Sequence, residues 1–79
     1  MRVLFFAQLK DLTGCDGIEL GGPAPVSSDE LWTLLVEKYP GLATHRAHVR
    51  LARNWEYATP DTRFTDLDEV ALIPPVSGG

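Results

Sequence analysis

Alternation of apolar residues opens the chain. In RVLFFAQL, Val3, Phe5 and Ala7 fall on one side of an extended backbone and Leu4, Phe6 and Gln8 on the other. This predicts a strand from Arg2 to Gln8 with large apolar groups on both faces. One face packs on a core; the other is covered by the protein or waits for a partner. KDLTG then reads as a tight turn or a single helical turn ending at Gly14. GIEL predicts a short strand, Gly17 to Leu20, antiparallel to the first. GGPAP is a connector, because two glycines and two prolines cannot hold a regular element.

The pattern next changes to a helical period. Ser27 and Glu30 have the spacing of a capping box, with Val26 and Leu31 at the positions of a hydrophobic staple around it. Asp29 and Glu30 complement the positive helix start. Leu31, Leu34, Leu35, Lys38 and Tyr39 form a stripe at 3.6 spacing, interrupted only by Lys38, whose stem can lie along apolar surface. Trp32 and Val36 flank it, and Pro40-Gly41 stops it. ATHRAH carries little signal beyond a short helical turn. VRLARN alternates again and predicts a strand, Asn54-Trp55 a turn, and EYAT a short returning strand. Thr59-Pro60-Asp61 is turn chemistry. DLDEV turns into a last strand, Val70 to Ile73, with Val70 and Leu72 on one face and Ala71 and Ile73 on the other. The order strand, strand, helix, strand, short strand, strand predicts a two-layer α+β domain.

Composition narrows the function more than the fold. The chain has 79 residues, enough for one domain. Its formal net charge of −4 argues against nucleic acid and suits a partner with a basic groove. No apolar run approaches the roughly 20 residues of a membrane span, and the start lacks the cleavage site of a signal peptide. Cys15 is a single cysteine, so no internal disulfide asks for an oxidising compartment, and the cytoplasm is the expected location.

Candidate chemistry in the folded body is sparse. His45 and His48 are three apart and could share a helix face as metal ligands. Lacking a carboxylate or thiol at ligand spacing, they read as surface histidines, and no metal is expected. Cys15 has no neighbour in sequence that would activate it. Capping explains Ser27 and Ser28, and no nucleophile-base pattern or phosphate loop appears. The tail PPVSGG remains. Pro74 and Pro75 cannot continue a central strand and favour an extended exit. Six extended residues reach roughly 20 Å. Gly78 and Gly79, without side chains, fit a narrow channel behind Val76 and Ser77. An α-carboxylate with a pKa near 3.5 is ionised and unreactive at neutral pH. ATP could convert it to an acyl-adenylate, and a sulfur donor could displace AMP to leave a nucleophilic thiocarboxylate. None of these steps needs a side chain of this chain.

VLFFAQLKDLTG at the start and DLDEVALIPPVSGG at the end resemble the small subunits of molybdopterin synthase, a family of ubiquitin-like sulfur carriers. Thiamine-pathway carriers tend to end in three glycines, and those of transfer-RNA thiolation are longer. The resemblance covers essentially the whole chain. It implies a β-grasp domain over residues 1–73, a mixed sheet of four to five strands on one main helix, with a flexible extended tail over 74–79. It implies that Gly79 is adenylated by a ubiquitin-activating-type enzyme, receives sulfur from a donor protein and becomes a thiocarboxylate. The tail then enters the large subunit, in a heterotetramer, and donates sulfur to cyclic pyranopterin monophosphate. On this reading the chain is non-catalytic alone, binds no cofactor, and leaves ATP to its activating partner. An apolar sheet face near the tail, Phe6, Tyr57 and Ile73 by position, would meet the partners. A carrier for another pathway, or a ubiquitin-like binding module that is never activated, are the alternatives. The chain departs from the family at Leu67, where glycine is frequent, and at Trp55 and Pro60. If position 67 were left-handed, leucine there would cost roughly 1 kcal/mol.

Overall fold

The structure, a computed structural model, describes residues 1–21 and 25–75. In chain order its elements are β1 (Arg2–Phe5), α1 (Gln8–Thr13), β2 (Gly17–Glu19), α2 (Ser28–Lys38), β3 (Arg50–Arg53), β4 (Glu56–Tyr57) and β5 (Glu69–Ile73). Two 3₁₀ turns, Pro40–Thr44 and Arg46–His48, link α2 to β3. The sheet order is β2-β1-β5-β3-β4. β1 and β5 run parallel; the other neighbours are antiparallel. This is the mixed five-stranded sheet and single main helix of a ubiquitin-like β-grasp, as the resemblance implies.

The register sorts the side chains. Val3 lies beside Val70, and Phe5 beside Leu72, while Leu51 faces Leu72 from the other flank. All five are buried and meet Leu31, Trp32 and Leu35 of α2 in one core. Phe5 also packs edge-on against Tyr39, with ring centroids 5.8 Å apart. At the sheet's edge, β2 approaches β1 so closely that a Cβ on Gly17 would sit 2.7 Å from the Val3 carbonyl oxygen. Only glycine fits there.

β1 is shorter than the alternation suggests. It ends at Phe5 rather than Gln8, because Ala7 adopts φ 51° and turns the backbone out of the sheet. The carbonyls of Phe6 and Ala7 then accept from the N–H groups of Leu9, Lys10 and Asp11, which starts α1. α1 buries Leu9 and closes on Gly14, whose φ of 77° is the left-handed cap that glycine adopts without steric cost.

The capping box on α2 forms as its spacing predicts. The Glu30 N–H donates to Ser27 Oγ at 3.2 Å, and the Ser27 N–H donates to Glu30 Oε1 at 3.0 Å. The buried face is rotated from the expected stripe, however. Trp32 is buried and Val36 half-buried, whereas Leu34 and Lys38 are exposed. The 3₁₀ turn at Pro40–Thr44 packs against α2 and inserts Leu42 into the core, so the covered arc shifts toward Trp32. Phe64 is also fully buried. It exchanges backbone hydrogen bonds of 2.9 and 2.8 Å with Val26, tying the helix start to the loop before β5. Leu67 has no left-handed φ and is 95% exposed, so its position asks for no glycine.

Replacing Ser27 by Ala should lower unfolding stability by about 1 kcal/mol, read from the urea midpoint. The hydrogen bonds from Ser27 hold the Glu30 carboxyl below its ordinary value. The ionised form is therefore favoured by folding. Its contribution is complete above the ordinary value of 4.5 and is lost as pH falls through the lowered one. Glu30→Gln should flatten that part of the acid limb of the stability profile.

Candidate functional site at the root of the tail

β5 ends at Ile73, and the chain leaves the sheet there through Pro74, half-buried, and Pro75, exposed. Proline lacks the N–H a further ladder bond would need. The expected threading residues Val76, Ser77 and Gly78, and the expected reactive Gly79, lie outside the described residues.

The sheet face opposite α2 surrounds this exit. Strand alternation puts Leu4, Ala71 and Ile73 on it, with Arg50 and Ala52 of β3 and Tyr57 of β4. Of the three residues expected to meet a partner, Phe6 is 38% exposed, Tyr57 is 56% exposed and Ile73 is half-buried. Tyr57 and Ile73 share the face by register and Phe6 directly follows β1, but Tyr57 is set apart from Ile73 by Arg50. Arg50 pairs with Ile73 across the strands, and its guanidinium lies 4.0 Å from the centre of the Tyr57 ring. Arg50 was readable in the alternation of VRLARN as a residue of this face.

Trp55 was not, because alternation gives no direction to a residue inside a turn. Arg53 pairs with Glu56, so Asn54 and Trp55 form a two-residue hairpin loop, with φ of 50° and 68°. Positive φ at both positions matches the twist of the strands and normally selects Asn-Gly. Asn54 suits it. For Trp55 the same conformation costs roughly 1–2 kcal/mol. The indole Nε1–H donates to Glu69 Oε1 at 2.7 Å, and the ring lies 6.3 Å from the Phe6 ring. On β5, Ala71 shares the outer face with Glu69 and is 1% exposed.

A polar clamp holds the turn to the start of β5. The Asn54 Nδ2 donates to Asp68 Oδ1 at 3.0 Å, and the Glu69 N–H donates to Asn54 Oδ1 at 2.9 Å. The Thr65 N–H donates to the other Asp68 oxygen at 2.8 Å. Burial pushes the Asp68 carboxyl up, but the bonds from Thr65 and Asn54 outweigh it, and its pKa lies below the ordinary carboxylate value.

Among the described residues no cluster of three or more His, Cys, Asp or Glu could hold a metal. His45 precedes a single 3₁₀ turn and His48 is its last residue. Cys15 is half-buried, its Sγ 3.8 Å from Thr13 Oγ1 and from the Tyr39 hydroxyl. No helix among the described residues is long and apolar enough to cross a membrane.

Comparison with known proteins gives consistent matches. The ThiS family model matches residues 3–79. The chain is 39% identical over 79 residues to the molybdopterin synthase sulfur carrier subunit of Arabidopsis thaliana, covering all of this chain and 82% of that protein. Among solved structures, SAMP1 from Haloferax volcanii superposes with a TM-score of 0.84 at 28% identity, covering 100% of this chain and 98% of that one. A protein-protein complex of subunits 1 and 2 of the molybdopterin-converting factor from Helicobacter pylori contains a chain matched with a TM-score of 0.71. That match is at 28% identity and covers 99% of this chain and 96% of the other.

In an Asn54→Ala chain, Asp68 should titrate at higher pH than in the native chain, followed by carboxyl NMR. Removing the Asn54 donor takes away one of the bonds that favour the charged form.

Proposed function

The chain belongs to the ThiS family, and on that premise we propose that it serves molybdenum cofactor biosynthesis as a sulfur carrier, with Gly79 as the residue that carries the sulfur. The observation that supports this most directly is the way the chain leaves the sheet. A strand paired on both flanks stops at Ile73, two prolines follow, and Val76-Ser77-Gly78-Gly79 is a run of residues with small or short side chains. The body supplies grip and the tail supplies reach.

The chemistry is located on the Gly79 carboxylate. One carboxylate oxygen attacks the α-phosphate of ATP in the pocket of an adenylating enzyme, and pyrophosphate leaves. The terminal sulfur of a persulfide on a sulfur donor protein attacks the acyl-adenylate and AMP leaves, giving an acyl disulfide. A thiol reductant then cleaves its S–S bond, so that the donor thiol is released, the reductant is oxidised to a disulfide and a thiocarboxylate remains on Gly79. Within molybdopterin synthase that sulfur is transferred to cyclic pyranopterin monophosphate in the large subunit, and the Gly79 carboxylate is regenerated with an oxygen from water. The chain binds no cofactor itself on this reading; the ATP belongs to the activating enzyme. The large subunit is the partner supported most closely, because a chain matched by this fold is found in a complex of subunits 1 and 2. Phe6, Ile73 and Tyr57 are the proposed contacts of the body, and Pro74 and Pro75 direct the tail.

Intact-protein mass spectrometry tests the assignment. The chain co-produced with the adenylating enzyme and its sulfur donor should gain the mass of one oxygen-to-sulfur exchange, located at Gly79. A chain that never gains it sinks the carrier reading, and a thiolated chain that gives no molybdopterin with the large subunit and the pterin precursor points to another pathway. Deleting Gly79 should abolish sulfur transfer while leaving the urea midpoint unchanged. Phe6→Asp should weaken binding of the large subunit at least tenfold, because it places a charge in the centre of an apolar contact.

A further inference from the structure

Trp55 is in a place that the fold does not require. Its φ of 68° is one that a glycine or an asparagine would occupy with less strain. Trp55 is 63% exposed, so it adds little to the core. Even so, it is fixed at two points, by the 2.7 Å hydrogen bond to Glu69 and by the Phe6 ring. A large aromatic held rigid and left open to solvent loses little conformational freedom when another surface covers it. Backbone strain retained at a surface position points to a function there.

We infer that Trp55 is a docking anchor for the large subunit of molybdopterin synthase, extending the contact face from the tail root across β5 to the β3–β4 turn. The inference rests on the proposed function and names a residue that this function alone does not. The partner follows from continuity. Six extended residues span only roughly 20 Å, so a tail whose end lies inside the large subunit brings the tail root against that subunit's surface. Ile73 is at that root, and Phe6, 38% exposed, directly follows the end of the neighbouring strand β1. The Trp55 ring abuts Phe6, so a surface that covers Phe6 meets the indole as well. Tryptophan is also the residue type most often dominant in such contacts.

Trp55→Gly separates docking from folding. Glycine relieves the positive φ, so the urea midpoint should stay equal or rise. Affinity for the large subunit of the same organism, measured by isothermal titration calorimetry with the full chain, should fall about 30-fold. Trp55→Phe, which keeps a ring against Phe6, should retain most of the affinity. Trp55→Asn, also tolerant of left-handed φ, is the second variant if glycine loosens the hairpin, and should behave as Trp55→Gly. Native-like affinity in the folded glycine or asparagine variant overturns the inference while leaving the carrier function intact. Failure of the native chain itself to bind the large subunit overturns both.

Discussion

β5 is hydrogen-bonded on both flanks, parallel to β1 and antiparallel to β3, and this double pairing decides which side of each neighbouring strand faces α2. Side chains alternate along a strand, so a slip of one residue at β5 would turn Val70 and Leu72 out of the core and Ala71 and Ile73 into it. The same pairing fixes the outer face. Leu4, Ala71 and Ala52 form one row across β1, β5 and β3, ending at Tyr57 of β4, and Ile73 with Arg50 forms the next. Core packing and the proposed contact face are thus two consequences of one register. The strand that sets it is also the strand that becomes the tail.

The clamp around Asp68 sets where that strand begins. Asn54 bonds the carboxylate of Asp68 and the N–H of Glu69, and its own N–H donates to the Glu69 carbonyl at 2.7 Å. These bonds hold the β3–β4 turn to the start of β5, five residues before the exit. They also hold the two positive φ values in place. The left-handed pair is thus over-determined by its surroundings, a condition under which such strain persists. The position of the indole over the outer face follows from the clamp, since the turn that carries Trp55 is tied down by Asn54.

Much of this was legible in the chain because it was encoded locally. Ser27 and Glu30 carry their capping relationship in four residues, and the hairpin turn at Asn54-Trp55 lies between two alternating runs. The resemblance at both ends of the chain located the β-grasp and the apolar face near the tail. Features that depend on distant partners were not legible. Ala7 ends β1 through a φ that alanine rarely adopts, so its sequence gave no warning. The rotation of α2 toward Trp32 depends on Leu42 arriving from a 3₁₀ turn, and the burial of Phe64 depends on a bridge to Val26. Trp55 was visible as a departure from the family, but its direction depends on Glu69, fourteen residues away.

A carrier has a constraint that an enzyme does not: it has to leave each partner to reach the next. Binding energy concentrated in the tail would follow the reactive carboxylate into every pocket and slow its release. On the proposed reading, the grip of this molecule is separable from the tail. Phe6, Trp55 and Tyr57 each touch a neighbouring side chain yet are 38%, 63% and 56% exposed, so docking would bury new apolar area outside the tail. The tail beyond Pro75 has small or short side chains and little to bind with. On that reading two partners would use one tail for the same geometric reason and differ in how much of the sheet face they cover. A residue at the margin of that face, such as Trp55, is where such a difference can be set without touching the carboxylate or the register of β5.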